Sequence, residues 1–472
     1  MWAHRPGRRV SSLLCLAVLW GAVGCGTYFP VNRRIEAVDP TRGYRARLVD
    51  RGDDSERLVL MVALSGGGLR AAAFGYGVLE ELEATHIAFD GANRSLFDEI
   101  DGITGVSGGS FTAAYAGLHG RGLFDDFVDR VLRRNVQAQL LFRLFWPTNW
   151  LRLFSPYWAR SDLAADYYDH AIFDGATYEA LADSGGPYVS IHATDLVTGS
   201  PFAFTQEQFD YLCSDLTSYP VSRAVAASSA VPLVLSPITV RNYRRCGFEP
   251  PEWVARARKG SAQLDREYVN ARNLHTYLDR KRRYVRLVDG SISDNLGVRG
   301  PFEAWVQRRA YPKVRPPENR ARHIVLLVVN AQTTPGDEWD RAAVLPSLGF
   351  VLDAATSAQV NRYNFETIEL LQRTFEGWNE TTLLWDPPLQ FHVIETSFLG
   401  VADEQERRYL NRQSTSLRLS DRAVRKLRAA GRETLLASEG FALLKQELAA
   451  LDDAPPVVED PLPEPLLGVD VD

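Results

Sequence analysis

Nowhere in the 472 residues does an apolar run approach the roughly 20 residues that a membrane-spanning helix needs. A chain that crosses a bilayer repeatedly is therefore excluded. Basic charge is not in excess either. Lys and Arg number 53 against 59 Asp and Glu, a net −6, so charge gives no general argument for nucleic-acid binding. Cysteine is scarce, four in all, and neither spacing nor a histidine partner makes a zinc motif of them. No internal repeat is present. The 45% hydrophobic and 24% charged content is that of a globular chain and excludes a wholly disordered one.

The charge is unevenly placed. Residues 1–24 carry Arg5, Arg8 and Arg9 and no acid, and residues 452–472 carry seven acids, five prolines and no base. The acidic tail reads as disordered. The three arginines precede a 14-residue, mostly apolar stretch at 10–23, the length of a signal-peptide core. Ala22, Val23 and Gly24 before Cys25 resemble a bacterial lipobox, in which the cysteine is diacylated and the chain is cut just before it. Ala22 stands where that motif usually has Leu. Gly26, rather than Asp, follows the cysteine, which by the Gram-negative sorting rule implies the outer membrane. The expectation is a signal peptide at 1–24, a lipid anchor at Cys25 and a tether at 25–56. Cys213 and Cys246 remain as an even pair in a compartment that permits disulfides, and a bridge is expected over two isolated thiols.

From residue 58 the pattern changes. Residues 58–64 (LVLMVAL) form a continuous apolar run, as in a strand buried on both faces. A glycine loop follows, then a helical stretch at 69–83. A second strand ends near Val106 and leads through Gly108 and Gly109 into another helix. Strand, loop and helix repeated in this way predict a parallel α/β sheet. Further strands are expected at 188–193, 202–205, 284–288 and 323–329, and a small-residue helix at 222–229. Beyond about 336 the chain reads as mainly helical, with one strand at 391–395. Residues 241–286 hold 13 bases and five acids. They read as an inserted surface loop, or alternatively as a patch for anionic lipid headgroups. Residues 140–158 hold seven aromatics with Arg143 and Arg152 among them. A core helix is the first reading, an interfacial helix the second.

Gly105-Val106-Ser107-Gly108-Gly109 fits G-x-S-x-G. A serine on a sharp strand-to-helix turn adopts strained backbone angles, and the flanking Gly105 and Gly109 let other chain pass close. Gly66-Gly67-Gly68-Leu69-Arg70 lies between the first strand and its helix. A nucleotide phosphate loop would need Gly-Lys-Ser/Thr, which is absent here. Backbone amides at a helix N-terminus instead suit an oxyanion forming at Ser107. Such a serine needs a base. Of the eight histidines none sits in a motif that marks it as one. Four Asp-Gly pairs, at Asp90, Asp101, Asp174 and Asp289, are the carboxylate candidates, although Asp-Gly is usually only a turn. Asp289 alone closes a clear β run, at the carboxyl end of a strand, where parallel sheets hold their sites.

Taken in order, the glycine loop with Arg70, G-x-S-x-G and Asp289-Gly290 resemble the patatin-like phospholipases, as do the runs 193–199 (ATDLVTG) and 226–232 (AASSAVP). The resemblance covers about residues 58–335. It implies an α/β three-layer sandwich with a mostly parallel central sheet, followed here by a mainly helical extension at 336–451. It also implies a Ser-Asp dyad without histidine: Ser107 as nucleophile, Asp289 as base, and Gly66, Gly67 and Gly68 as oxyanion donors with Arg70 beside them. Ala71 and Ser291 depart from the family's glycine and Gly/Ala at those positions, and the Ser291 hydroxyl is placed to retune the base. The implied substrate is a phospholipid or related lipid ester at a membrane surface, with neither metal nor organic cofactor. Two other readings stand beside it. One is a serine esterase or thioesterase with a histidine in a triad. The other is a non-catalytic envelope lipoprotein that binds lipid.

Overall fold

The computed structural model describes residues 31–49, 54–89, 91–259, 266–306, 321–334, 348–382 and 388–451. The expected signal peptide, Cys25, Asp90 and the acidic tail lie outside them. The elements that build the site are, in order, β1 (Leu58–Leu64), α1 (Gly68–Ala84), β2 (Ile100–Val106), α2 (Gly108–His119), α3 (Val136–Phe145), α4 (Pro147–Leu153), α5 (Arg160–Tyr168), β3 (Tyr188–Asp195), β4 (Pro201–Phe204), α6 (Val221–Ser228), β5 (Ile238–Arg241), β6 (Tyr284–Asp289), β7 (His323–Asn330), α7 (Leu348–Thr382), β8 (Gln390–Ser397), α8 (Asp421–Leu436) and α9 (Glu439–Ala449).

One eight-stranded sheet runs β8-β7-β1-β2-β3-β6-β5, with β4 also on β3. The strands from β8 to β3 are parallel. The β3–β4, β3–β6 and β6–β5 pairs are antiparallel. The uninterrupted apolar run of β1 follows from its central place. Leu58, Leu60, Val62 and Leu64 face one core, shared with α1, α2 and α8. Val59, Met61 and Ala63 face the other, with Leu371 and Phe375 of α7. The sheet is thus the middle layer of three, as expected.

The region after 336 is mainly helical, but it is not a body of its own. β8 pairs with β7 along its whole length, from His323↔Gln390 to Asn330↔Ser397. Helix α8 crosses α1 closely: a Cβ on Gly77 would lie 2.1 Å from the Arg428 carbonyl, and one on Gly431 would lie 2.3 Å from that of Phe74. The sheet's edge strand and one covering helix both come from this part of the chain.

The basic stretch is no simple loop. β5 and β6 pair antiparallel, Arg241 opposite Tyr284, so everything between them leaves and returns at one point. The excursion contains helices Glu252–Lys259 and Arg266–Thr276. It is fastened by a Cys213–Cys246 disulfide and by the Tyr277 hydroxyl, which donates to Asp195 at 2.8 Å. A bridge enclosing 33 residues typically contributes about 2–4 kcal/mol.

Residues 140–158 do not form a core helix, and this first reading is corrected. Phe145, at the end of α3, is 67% exposed, and Phe154, just after α4, is 84% exposed. Leu141, Phe142, Trp146, Trp150 and Tyr157 are exposed too, and of the seven aromatics only Trp158 is buried. The arginines are turned the other way. Arg143 lies over the Tyr167 ring, and Arg152 lies over Trp158 and pairs with Asp166. Both tie the pair of helices to α5 while the aromatic rings face outward.

Candidate active site

Ser107 sits between β2 and α2 with φ 48° and ψ −118°, a conformation that a non-glycine residue rarely adopts. The turn is tight on every side. A Cβ on Gly108 would meet the Gly68 carbonyl at 1.8 Å, and one on Gly109 the Leu64 carbonyl at 2.5 Å. One on Gly105 would meet Ala113 Cβ at 2.7 Å. Only glycine allows the glycine loop, the end of β1 and the elbow to touch.

Ser107 Oγ donates to Asp289 Oδ2 at 2.8 Å. Both residues are only 4% exposed. The reason they meet differs from the sequence expectation. β6 is antiparallel to β3, so Asp289 is not at the carboxyl end of a parallel strand. Instead β2 and β6 lie on one edge of β3, the other edge being taken by β4, and they run toward each other. β2 ends with Val106 opposite His192, and β6 ends with Asp289 opposite Ala193. Consecutive register positions on β3 therefore bring the two strand ends together.

Ser228, at the end of α6, ties the two halves. Its hydroxyl accepts from Ser107 N at 2.8 Å and donates to the His192 carbonyl at 2.6 Å. Its carbonyl accepts from Gly290 N at 3.1 Å. A Cβ on Gly290 would meet the His192 carbonyl at 2.3 Å, which explains glycine after the aspartate. Asp289 Oδ1 accepts from Ser291 N at 2.9 Å, and Thr194 Oγ1 donates to the Asp289 carbonyl at 2.8 Å. Burial raises the Asp289 carboxyl above its ordinary 3.8. The Ser291 amide, the Ser107 hydroxyl and the Ser291 hydroxyl each oppose that rise. In the sequence Ser228 is one small residue of the 222–229 helix and the 226–232 run, and nothing local marks its hydroxyl as the link.

In the glycine loop the Gly66 amide is already committed, donating to the Asn295 carbonyl at 3.0 Å. The Gly67 and Gly68 amides have no acceptor among the described residues. Both glycines have positive φ, 140° and 63°. The Arg70 guanidinium is buried and donates to the carbonyls of Ala331 and Gln413. It braces the loop against the end of β7 and the C-terminal region.

The histidines lie elsewhere. His192 Nε2 contacts Ser190 Oγ at 3.0 Å, and burial pushes its pKa down to about 4. His323 and His392 lie toward the opposite end of the sheet, His323 being paired with Leu58 at the start of β1. No histidine hydrogen-bonds Ser107 or Asp289 among the described residues. Of the other Asp-Gly pairs, Asp101 accepts from Leu60 N between β1 and β2 at 2.8 Å. Asp174 is a left-handed turn residue paired with Arg130.

A strained serine on a strand-to-helix elbow, facing a glycine loop and bonded to a buried aspartate, defines an α/β protein of the hydrolase type. The family model described as "Patatin-like phospholipase" matches residues 62–302. The chain belongs to the patatin-like phospholipase family. No curated protein matches the chain. Among solved structures it is similar to human GIVD cytosolic phospholipase A2 (12% identity, 84% of this chain and 61% of that one, TM-score 0.38). It is also similar to VipD from Legionella pneumophila (12%, 84% and 67%, TM-score 0.31). The chain spans about three fifths of the human protein's length. Likeness at this level bears on neither substrate nor mechanism.

Proposed function

We propose that this chain is a lipid acyl hydrolase that works through a Ser107–Asp289 dyad. The observation that carries the reading is the 2.8 Å bond from Ser107 Oγ to Asp289 Oδ2 at a strained elbow. Ser107 Oγ attacks the ester carbonyl carbon and its proton passes to Asp289 Oδ2. The negative oxygen of the tetrahedral intermediate accepts from the Gly67 and Gly68 amides. One such donor is typically worth about 2.7–4 kcal/mol of barrier. Collapse breaks the ester bond, and the departing alcohol takes the proton from Asp289. Water then attacks the acyl-enzyme with Asp289 as base again, releasing the fatty acid and restoring Ser107. Burial supports this role, because a carboxyl held above its ordinary pKa is a better base than an exposed one.

The substrate in this reading is a phospholipid or related lipid ester at a membrane surface. Support comes from the exposed rings of α3 and α4 and from their link to the dyad. Arg160 at the start of α5 donates to the Leu233 carbonyl, and Ser161 N to Ser236 Oγ. Asp289 N donates to the Ala230 carbonyl at the start of that segment. Val231, Leu233 and Val234 in it, and Ile292 after the base, are exposed as well. Exposed apolar side chains thus stand both on the aromatic helices and on the segment bonded to Asp289 at a nearly closed site. The lipobox-like sequence before Cys25 adds an anchor on the outer membrane to the reading.

A fluorophosphonate carrying a lipid chain tests it, since only an activated serine is labelled. We expect one adduct, on Ser107. No labelling of folded protein would leave a lipid-binding lipoprotein as the better account.

A further inference from the structure

Three side chains meet at the opposite end of the sheet from Ser107. His323 opens β7, His392 is the third residue of β8, and Glu447 lies on α9. In the parallel register His392 is opposite Val325, two residues after His323, so both imidazoles stand on the same face of the sheet. That is the face covered by α9 through Phe441, Leu444 and Leu448. His323 Nδ1 lies 3.1 Å from His392 Nε2. Glu447 Oε2 lies 3.6 Å from the first nitrogen and 3.3 Å from the second. Oε2 is shut off from solvent and has no hydrogen-bond partner.

A hydrogen bond between the two rings would use one proton and leave the carboxylate oxygen stranded, which is costly for a buried acceptor. A metal ion removes the difficulty. Zinc holds histidine nitrogen and carboxylate oxygen at about 2.0–2.2 Å in a tetrahedron, so two ligand atoms of one ion lie about 3.3–3.5 Å apart. The three distances here, 3.1, 3.3 and 3.6 Å, bracket that edge. We propose that His323 Nδ1, His392 Nε2 and Glu447 Oε2 form a binding site for a divalent transition-metal ion of the zinc class, its fourth position left to water.

The ligand chemistry selects the ion. Two imidazoles suit zinc and its neighbours, whereas magnesium and calcium take oxygen ligands. His323 Nδ1 and His392 Nε2 face each other and Glu447 Oε2, so each ring offers a nitrogen toward one common point. Arg322 adds positive charge beside His323, and the Glu447 carboxylate offsets it. The Glu447 side chain is 25% exposed, which gives the ion a way in. The site joins β7, β8 and α9, so metal would clamp α9 to the edge of the sheet. It is independent of Ser107 and of any hydrolysis.

The full chain, stripped with a chelator and dialysed, should bind one Zn²⁺ in a calorimetric titration, with a dissociation constant in the micromolar range or tighter. Its Tm should rise by several degrees at saturating metal. Cobalt(II) should give the visible absorption of a four-coordinate site. Glu447→Gln and His392→Ala should each weaken zinc binding at least tenfold, whereas exposed His86→Ala should not. Metal-free Tm and circular dichroism establish that each variant is folded. If His392→Ala is unfolded, the half-buried Glu447→Gln decides. Absence of saturable binding to the wild-type chain, or unchanged binding in folded Glu447→Gln, would overturn the proposal.

Discussion

In the proposed mechanism Asp289 is the residue on which the chemistry turns. Asparagine nearly preserves its size and still accepts from Ser291, but takes no proton. A positioned general base is worth roughly 10²–10⁴ in rate. We therefore expect Asp289→Asn to lower turnover of a soluble ester at least 100-fold, Ser107→Ala to abolish it, and His192→Ala to leave it within about tenfold. An active Asp289→Asn beside an inactive histidine variant would place the base on an imidazole. The raised carboxyl also gives a sign to pH. A group whose folded pKa exceeds its unfolded value contributes stability below the unfolded pKa and loses it as pH rises through the folded one. Activity should therefore grow with pH across the window above 3.8. Across the same window the Tm of Asp289→Asn should gain on the wild type. A Tm gap that is constant from pH 4 to 8 would show that Asp289 keeps its ordinary pKa.

At the scale of elements, α3 and α4 carry the sharpest disagreement between pattern and structure. Seven aromatics in 19 residues read first as core and only second as interface, because periodicity reports that a face is apolar and not what covers it. What decides is that Arg143 and Arg152 hold the helices to α5 through Tyr167, Trp158 and Asp166, leaving the rings outside. Trp146→Ala combined with Trp150→Ala should cut hydrolysis of phospholipid vesicles at least fivefold more than hydrolysis of a soluble short-chain ester, with Tm nearly unchanged. Equal losses on both substrates would remove the interfacial role. The strands were easier to read. β1, and β7 between its terminal His323 and Asn330, are apolar because both their faces are covered, and such runs are conspicuous in any sequence. The elbow was equally legible, since close approach of chain to Ser107 requires glycine at fixed positions around it.

For the whole molecule, the question is how a closed site reaches its lipid. The proposed anchor would hold it there. The mature chain should begin at acylated Cys25 and fractionate with outer membranes. Mass spectrometry that finds a Cys25 peptide without lipid, or cleavage elsewhere, rules this out. Composition does not say how the chain beyond 335 joins the rest. A boundary near 335 is plausible from composition, yet β8 completes the sheet that β7 borders and α8 covers α1. Strand order is a long-range pairing choice, and a short strand candidate at 391–395 carries no record of which strand it will join.

The sequence by itself determined the alternation of buried strands and helices, the glycine-lined elbow and the aspartate that closes a strand. Each of these is a local consequence of residue type: apolar runs, conformations open to glycine, a turn after Asp289. Tertiary structure alone decided which distant parts meet. It set β6 antiparallel and end to end with β2 along one edge of β3, so that Asp289 arrives opposite Ala193 where Val106 has just left His192. It committed the Gly66 amide to Asn295 and left those of Gly67 and Gly68 without an acceptor among the described residues. It also gathered His323, His392 and Glu447 from three separate elements. These outcomes depend on register and on layer packing, which belong to pairs of elements and not to any one stretch of chain.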